Sequence, residues 1–173
     1  MKTLLLLRHA KSDWEAGYAD DHERPLAKRG KKAAALIGRH LAATGQVPDR
    51  VVSSTAVRAA DTVRRAVRSG GWECPVEHTD ALYAASAEEV LQVVRGWEDP
   101  SERVLLAGHE PMCSSLAGRL IGDANLHFPT AAIARIDLEV DVWSQVELGE
   151  GTLVWLLTPK ALRSKSKAGA TGR

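Results

Sequence analysis

The clearest pattern in the sequence is a set of short apolar runs that end abruptly in polar or charged side chains. Leu4 to Leu7 is the first of these runs, and similar runs occur at Val51-Val52 and at Val104 to Ala107. Such runs are typical of strands covered on both faces in a parallel sheet, and four leucines are too few to span a membrane. The sequence therefore predicts an α/β fold with a mostly parallel central sheet.

Helical spacing of apolar residues predicts helices between these strands. The predicted helices run from Pro25 to just before Gly45, from Thr55 to Arg68, from Ala87 to Trp97 and from Pro111 to Ile121. We expect Gly30 to weaken the first turn of the first helix, and Ser54 or Thr55 to cap the second. The pattern also predicts a brief edge strand at Pro75 to His78 and a hairpin-like pair at Ala132 to Leu138 and Thr152 to Leu157.

The length of 173 residues fits one domain with a substantial core. We expect this domain to occupy residues 1–159. The remaining residues, 160–173, are Lys, Arg, Ser, Ala, Gly, Thr and one Leu, which bury too little apolar surface to fold alone. A mobile basic tail is expected there, and a monomer is favoured although the sequence leaves the oligomeric state open.

Composition and charge narrow the class of partner. Hydrophobic content of 45% and charged content of 26% are ordinary for a globular protein, and the net charge is +1. Five basic residues lie in the tail, which leaves 18 basic against 22 acidic residues elsewhere, a net charge near −4. We therefore expect no nucleic-acid partner and no membrane partner.

Cysteine usage and the N-terminus favour a cytoplasmic location. Cys74 and Cys113 are the two cysteines, and free thiols in a reducing compartment are expected rather than a disulfide. Met1-Lys2 followed by four leucines is too short for the apolar region of a signal peptide.

Three predicted strand ends carry the candidate chemistry. Arg8 and His9 follow the first strand, Arg58 lies just beyond the second, and His109 follows a later one. Because loops at the carboxyl ends of parallel strands line one crevice, we expect two imidazoles and two guanidiniums to meet there. Guanidiniums bind phosphate oxygens through paired N–H donors, and a protonated histidine would add a third positive charge.

A neutral imidazole at His9 could attack phosphorus, with Arg8, Arg58 and His109 stabilising the charge. This chemistry requires no metal and no other cofactor, and the histidines lack the spacing of a recognisable zinc site. Each of these residues alone would more often be structural, but their recurrence at three strand ends favours a site. His22, in the polar loop between residues 12 and 24, is a weaker candidate for substrate contact.

Four motifs carry a resemblance to a known family. Leu7 to Trp14 looks like Arg-His-Gly-Glu-Ser-x-Trp, Pro25 to Gly30 like Pro-Leu-x-x-x-Gly, Ser54 to Thr62 like Ser-Pro-x-x-Arg-Ala-x-x-Thr, and Gly108 to Pro111 like Gly-His-x-Pro. Over residues 3 to 158 the chain thus resembles the histidine phosphatase superfamily, also called phosphoglycerate-mutase-like. The compact length, with Arg24-Pro25-Leu26 and Phe128 to Ala134, looks most like the SixA-type phosphohistidine phosphatases.

The resemblance implies a three-layer α/β/α fold and a catalytic role for four residues. His9 would be the phosphorylated nucleophile, Arg8, Arg58 and His109 would form the phosphate pocket, and Ser12 would touch the substrate. The implied activity is a phosphatase with a phosphohistidine enzyme intermediate, acting on a phosphorylated protein. A small-molecule phosphomonoesterase and a non-catalytic phosphate-binding module remain the alternatives.

One departure from the family pattern bears on the substrate. Ala84 occupies the position where many members place a proton-donating Glu. An alkoxide leaving group needs an acid more than an imidazole does, so phosphohistidine fits better than a sugar phosphate. The carboxylates that remain as possible substitutes are Asp13, Glu15, Asp20, Asp21, Asp80 and Glu110.

Overall fold

The computed structural model describes residues 1–98 and 100–168, with side chains described as far as residue 163. Within these residues one six-stranded sheet lies between helices. The strands are β1 (Lys2–Arg8), β2 (Arg50–Ser54), β3 (Val76–Thr79), β4 (Arg103–Gly108), β5 (Ile133–Leu138) and β6 (Gly151–Leu157). The helices are α1 (Lys28–Ala43), α2 (Val57–Gly70), α3 (Ala87–Arg95), α4 (Met112–Leu120) and α5 (Pro159–Ala168), and single 3-10 turns occupy Asp21–Glu23, Asp80–Leu82 and Trp143–Gln145.

The sheet has the order β3-β2-β4-β1-β5-β6, and its first four strands are parallel. β5 and β6 run antiparallel as the predicted pair, and β3 is the predicted edge strand. The mostly parallel sheet expected from the sequence is confirmed. In the register of β1 and β4, Arg8 lies opposite Gly108, so the next residues along each strand, His9 and His109, leave the sheet side by side.

Alternation along β1 divides the core between the two faces of the sheet. Leu4 and Leu6 pack with residues of α3 and α4, whereas Leu5 and Leu7 pack with residues of α1 and α2. All four leucines are completely buried, which explains why their run is continuous rather than alternating. The three-layer α/β/α architecture implied by the family resemblance is therefore confirmed.

The first helix begins later than Pro25, and Gly30 lies inside it rather than weakening its start. A Cβ at Gly30 would lie 2.1 Å from the carbonyl oxygen of Lys11. The glycine thus lets the first turn of α1 pack directly against the loop that follows β1. The same Lys11 carbonyl accepts a hydrogen bond from the Ala27 N–H at 2.9 Å, just before the start of α1.

Ser54 and Thr55 do not cap α2 as expected. Its N-cap is Ala56, which has no side-chain hydrogen bond to the helix. Ser54 Oγ instead accepts from the Ala56 N–H at 3.2 Å and faces His109. The hydroxyl near this helix start therefore belongs to the candidate site.

The expected mobile tail begins with a helix. α5 covers Pro159–Ala168, and Leu162 is only 7% exposed because it packs in the core layer formed by α1 and α2. The buried leucine packs this segment against the core, a contact that the composition of the segment did not predict. Residues 169–173 lie outside the described residues, and the domain boundary at residue 159 stays a prediction.

No helix in the described part of the chain combines the length and the apolar character that a membrane crossing would require.

Candidate active site

The ends of β1, β2 and β4 bring the four predicted site residues to one cavity. His9 and His109 have ring centroids 5.3 Å apart, and Arg8 and Arg58 line the same cavity of about 190 Å³. His9, Arg58 and His109 are at most 9% exposed. The parallel register of β1 and β4 causes this convergence, since it aligns two strand ends that are 100 residues apart in the chain.

His9 is held as a neutral imidazole with one free ring nitrogen. Its Nδ1 lies 2.7 Å from the carbonyl oxygen of Ala10, which can only accept, so Nδ1 carries the proton and Nε2 keeps its lone pair. Burial lowers the pKa of His9 to about 3; the hydrogen bond to Ala10 opposes this shift, and the positive charges of Arg58 and Arg8 reinforce it. His9 therefore has the protonation state of a nucleophile at neutral pH.

His109 is positioned by the hydroxyl of Ser54. Its Nε2 lies 2.8 Å from Ser54 Oγ, and its buried Nδ1 has no hydrogen-bond partner among the described residues. Burial and the charge of Arg58 lower the pKa of His109 to about 4. A protonated histidine would have added a third positive charge to the pocket, but burial favours a neutral, hydrogen-bonding His109 near pH 7.

Arg8 and Arg58 are anchored at their tips and leave inner donors unpaired. Arg8 Nη1 donates to the Phe128 carbonyl at 2.9 Å, and the two terminal nitrogens of Arg58 donate to Asp21 at 2.7 and 3.0 Å. The Nε atoms of both arginines are buried without a partner in the described structure. Arg103 Nε is also buried and unpaired among the described residues but does not line the cavity, so the indication of an oxyanion site comes from three such nitrogens on residues that line one cavity.

Asp21 links the arginines around the cavity. Its carboxylate accepts from Arg24 at 2.9 Å, from Arg58 at 3.0 Å and from the Tyr83 hydroxyl at 3.1 Å. Burial raises the pKa of Asp21, but the Arg24 hydrogen bond, the Arg58 charge and the Tyr83 hydrogen bond outweigh it and lower the pKa overall. Asp21 is therefore unsuited to donate a proton, and it positions Arg58 instead.

Arg24 belongs to the site although the sequence did not predict it. The residue is 5% exposed, and its guanidinium hydrogen bonds to the Ser12 hydroxyl and lies 3.6 Å from the ring centroid of Trp14. The bridge between Ser12 and Leu26 brings this arginine back towards the loop after β1. Only the position of Arg24 next to Pro25 in a family motif could have indicated its role.

The two residues predicted to contact the substrate, Ser12 and His22, lie in different places. Ser12 is buried and lines the cavity, where its hydroxyl already accepts from Arg24. His22 does not line the cavity; its Nε2 lies 2.9 Å from Thr55 Oγ1, and its ring packs against Tyr83 with centroids 4.9 Å apart. Because Tyr83 also packs against His109, His22 lies one ring further out than the histidine pair.

The carboxylates considered as a proton donor are mostly engaged elsewhere. Glu110 is the one that lines the cavity, and both its oxygens accept from Ser114, at 3.0 Å from the N–H and 2.6 Å from the hydroxyl. Asp80 accepts from the Thr55 hydroxyl, and Ala84 is exposed.

No group of three or more His, Cys, Asp or Glu among the described residues is placed to hold a metal ion.

Comparison with known proteins identifies the family. The model of the histidine phosphatase superfamily (branch 1) matches residues 4–89, which include Arg8, His9 and Arg58. An uncharacterized protein of Mycobacterium leprae is 32% identical over 166 residues, covering 89% of this chain and 100% of the relative. The chain belongs to the histidine phosphatase superfamily.

Solved structures of this superfamily agree with the fold. A candidate phosphohistidine phosphatase SixA from Nakamurella multipartitia superposes with a TM-score of 0.79 at 26% identity, covering 91% of this chain and 96% of that chain. A candidate SixA from Agrobacterium tumefaciens gives 0.77 at 26% identity, covering 91% and 98%. Family membership and these SixA-type neighbours support a phosphatase.

Proposed function

We propose that the protein is a phosphatase that works through a phosphorylated His9, with phosphohistidine on a protein as its substrate. The proposal rests on one arrangement: three buried unpaired nitrogens, Arg8 Nε, Arg58 Nε and His109 Nδ1, belong to residues that line the same cavity as His9, whose Nδ1 is held by Ala10. A transferring phosphoryl group would satisfy those donors. Electrostatic stabilisation of this kind supplies most of what phosphoryl transfer needs from a protein.

The reaction has two transfers. In the first, His9 Nε2 attacks the phosphorus of a phosphohistidine whose other ring nitrogen is protonated, and the bond from phosphorus to the substrate nitrogen breaks, which releases a neutral imidazole. In the second, water attacks phosphorus, the bond to His9 breaks, and inorganic phosphate leaves with the protons of the water while His9 returns as a neutral imidazole. Arg8, Arg58 and His109 hold the phosphoryl oxygens in both steps, and Ser12 contacts the substrate.

Phosphohistidine is favoured as the substrate because the site lacks a free proton donor. The carboxylate of Glu110 is tied to Ser114, and Asp21 has a lowered pKa. A phosphohistidine ring protonated on its other nitrogen brings its own leaving-group proton, whereas an alkoxide needs an acid from the protein, so a site without an acid favours phosphohistidine. The SixA-type neighbours support the same substrate class, and a phosphorylated protein, a cytoplasmic location and a metal-independent reaction are parts of this proposal.

Replacing His9 with Ala tests the mechanism. We expect the rate on an aryl phosphate to fall by at least about 10³-fold, because removal of a nucleophile removes the covalent route. His78→Ala is the matched control, since His78 is exposed on the edge strand β3 and should leave the rate unchanged. Activity retained in the His9 variant would overturn the proposed intermediate.

The substrate class is tested by comparing wild-type rates on a phosphohistidine peptide and on sugar phosphates. A higher kcat/KM on the peptide supports the proposal, and a higher value on the sugar phosphates would make the protein a small-molecule phosphomonoesterase. Tight binding of the phosphopeptide without turnover would make it a phosphate-binding module. Activity that disappears in a chelator and returns with a metal would contradict metal independence.

A further inference from the structure

A second, basic cleft adjoins the catalytic cavity. It has a volume of about 480 Å³ and shares Lys11 and Thr130 with the catalytic cavity. Its other lining residues include Arg29 from the first turn of α1, His127, and Lys160 and Arg163 from α5. No acidic residue of the described chain lines this basic cleft.

Three of the positive charges that line the basic cleft have no ion-pair partner among the described residues. Lys11, Arg29 and Lys160 make no ion pair there, whereas arginines elsewhere on the surface do, such as Arg95 with Glu147 at 3.0 Å and Arg135 with Asp137 at 2.8 Å. Concentrating one sign of charge in a concave surface raises the local potential and attracts counter-charge. The charge of the lining residues therefore favours an anion in the cleft.

The N-termini of α1 and α5 add to the positive potential of the basic cleft. Neither α1 nor α5 has an acidic residue in its first turn, and both place basic side chains there, Arg29 and Lys160, which line the cleft. The positive end of a helix dipole normally favours Asp or Glu. Basic first turns at both helices weaken helix stability slightly but strengthen the attraction of an anion to the cleft.

We propose that the basic cleft binds a second anionic group, a carboxylate or a phosphate, carried by the same substrate whose phosphoryl group enters the catalytic cavity. This inference rests on the proposed function and deepens it. Because Lys11 and Thr130 line both cavities, the two cavities are adjacent, and one substrate that carries two anionic groups has only a short distance to span. The substrate is then a phosphohistidine flanked by acidic side chains, and the start of the basic C-terminal segment contributes to its recognition.

The test uses the full-length protein with two matched double variants. Arg29→Gln with Lys160→Gln removes two charges from the cleft, and Lys32→Gln with Arg39→Gln removes two exposed charges of α1 that line neither cavity. Kinetics are measured on two phosphohistidine peptides, one with acidic and one with neutral flanking residues. An aryl phosphate, which has no second anion, provides the reference rate.

The expected result is a higher KM for the acidic peptide in the cleft variant only. Two exposed ionic contacts correspond to roughly 2- to 30-fold in KM. The neutral peptide, the aryl phosphate and the control variant should keep wild-type values. The wild-type preference for the acidic peptide should also fade with added salt, since the screening length shrinks to about 3 Å at 1 M.

Two outcomes overturn the inference. The first is a wild-type enzyme with no preference between the peptides, and the second is a preference that the cleft variant retains. If neither peptide is hydrolysed while the aryl phosphate is, the proposed substrate fails instead. A sugar bisphosphate compared with its monophosphate then tests the cleft: a bisphosphate preference lost in the cleft variant supports it, and equal KM values overturn it.

Discussion

At the scale of single residues, the site depends on groups that control the two histidines. His9 is oriented by a backbone carbonyl, which no substitution removes, whereas His109 is oriented by the side chain of Ser54. Ser53 and Ser54 are both fully buried neighbours on β2, but Ser53 Oγ donates to the Ser54 carbonyl and does not contact His109. This pair gives a matched comparison of a positioning residue and a structural one.

We expect Ser54→Ala to lower kcat/KM on an aryl phosphate by about tenfold, since one hydrogen bond that fixes the ring of His109 is lost. Ser53→Ala should cost stability without this loss of rate. Steady-state kinetics and urea unfolding on both variants provide the measurement. Equal losses of kcat/KM would show that Ser54 acts only through the fold.

Burial of two neutral histidines should make the protein less stable in mild acid. In the unfolded chain these imidazoles bind protons as pH falls below about 6.5, whereas the folded chain resists protonation until the pKa values near 3 for His9 and near 4 for His109. The unfolding free energy therefore falls as pH falls from 6.5 to 4, by up to about 1.4 kcal/mol per pH unit for each histidine.

Urea unfolding in phosphate-free buffer between pH 7 and 4.5 measures this slope. His9→Gln should flatten it, and His78→Gln, which changes an exposed histidine, should not. An unchanged slope in the His9 variant would mean that the acid sensitivity arises from other groups.

At the scale of elements, the contact between α1 and the loop after β1 sets the position of the cavity wall. We expect Gly30→Ala to lower the unfolding free energy by about 1–3 kcal/mol and to reduce activity, because its Cβ would collide with the Lys11 carbonyl. Gly96→Ala is the control, as its nearest neighbour would be at 3.4 Å. Denaturant unfolding and aryl phosphate kinetics check both effects, and a fully active, stable Gly30 variant would contradict this role.

At the scale of the whole molecule, the two core layers share the central sheet and should unfold together. Trp97 and Trp143 lie in one layer, and Trp72 and Trp155 in the other, so tryptophan fluorescence reports on both. We expect fluorescence and far-UV circular dichroism to give one coincident urea transition for a single domain. Two separated transitions would show that the layers fold independently.

The sequence by itself determined the fold class and the chemistry-bearing strand ends. Leu4 to Leu7 specify a strand buried on both faces. Successive side chains of a strand point to opposite faces of the sheet, so a continuous apolar run fits where neither face meets water. Arg8, His9 and His109 stand out because polar groups that end apolar runs lie where the crevice of a parallel sheet opens.

Only the tertiary structure decided which partners and which surroundings these residues have. The Asp21 contacts to Arg58 and Tyr83 join residues that are 37 and 62 positions apart in the chain, and the unpaired nitrogens and lowered pKa values also follow from the packing of distant segments, which local patterns do not specify. The same holds for α5, whose helix is fixed by burying Leu162 against another layer, and for the basic cleft, where Arg29 and Lys160 meet only after folding. Periodicity encodes which face of an element is buried, whereas the identity of the group it meets is set by the packing of the whole chain.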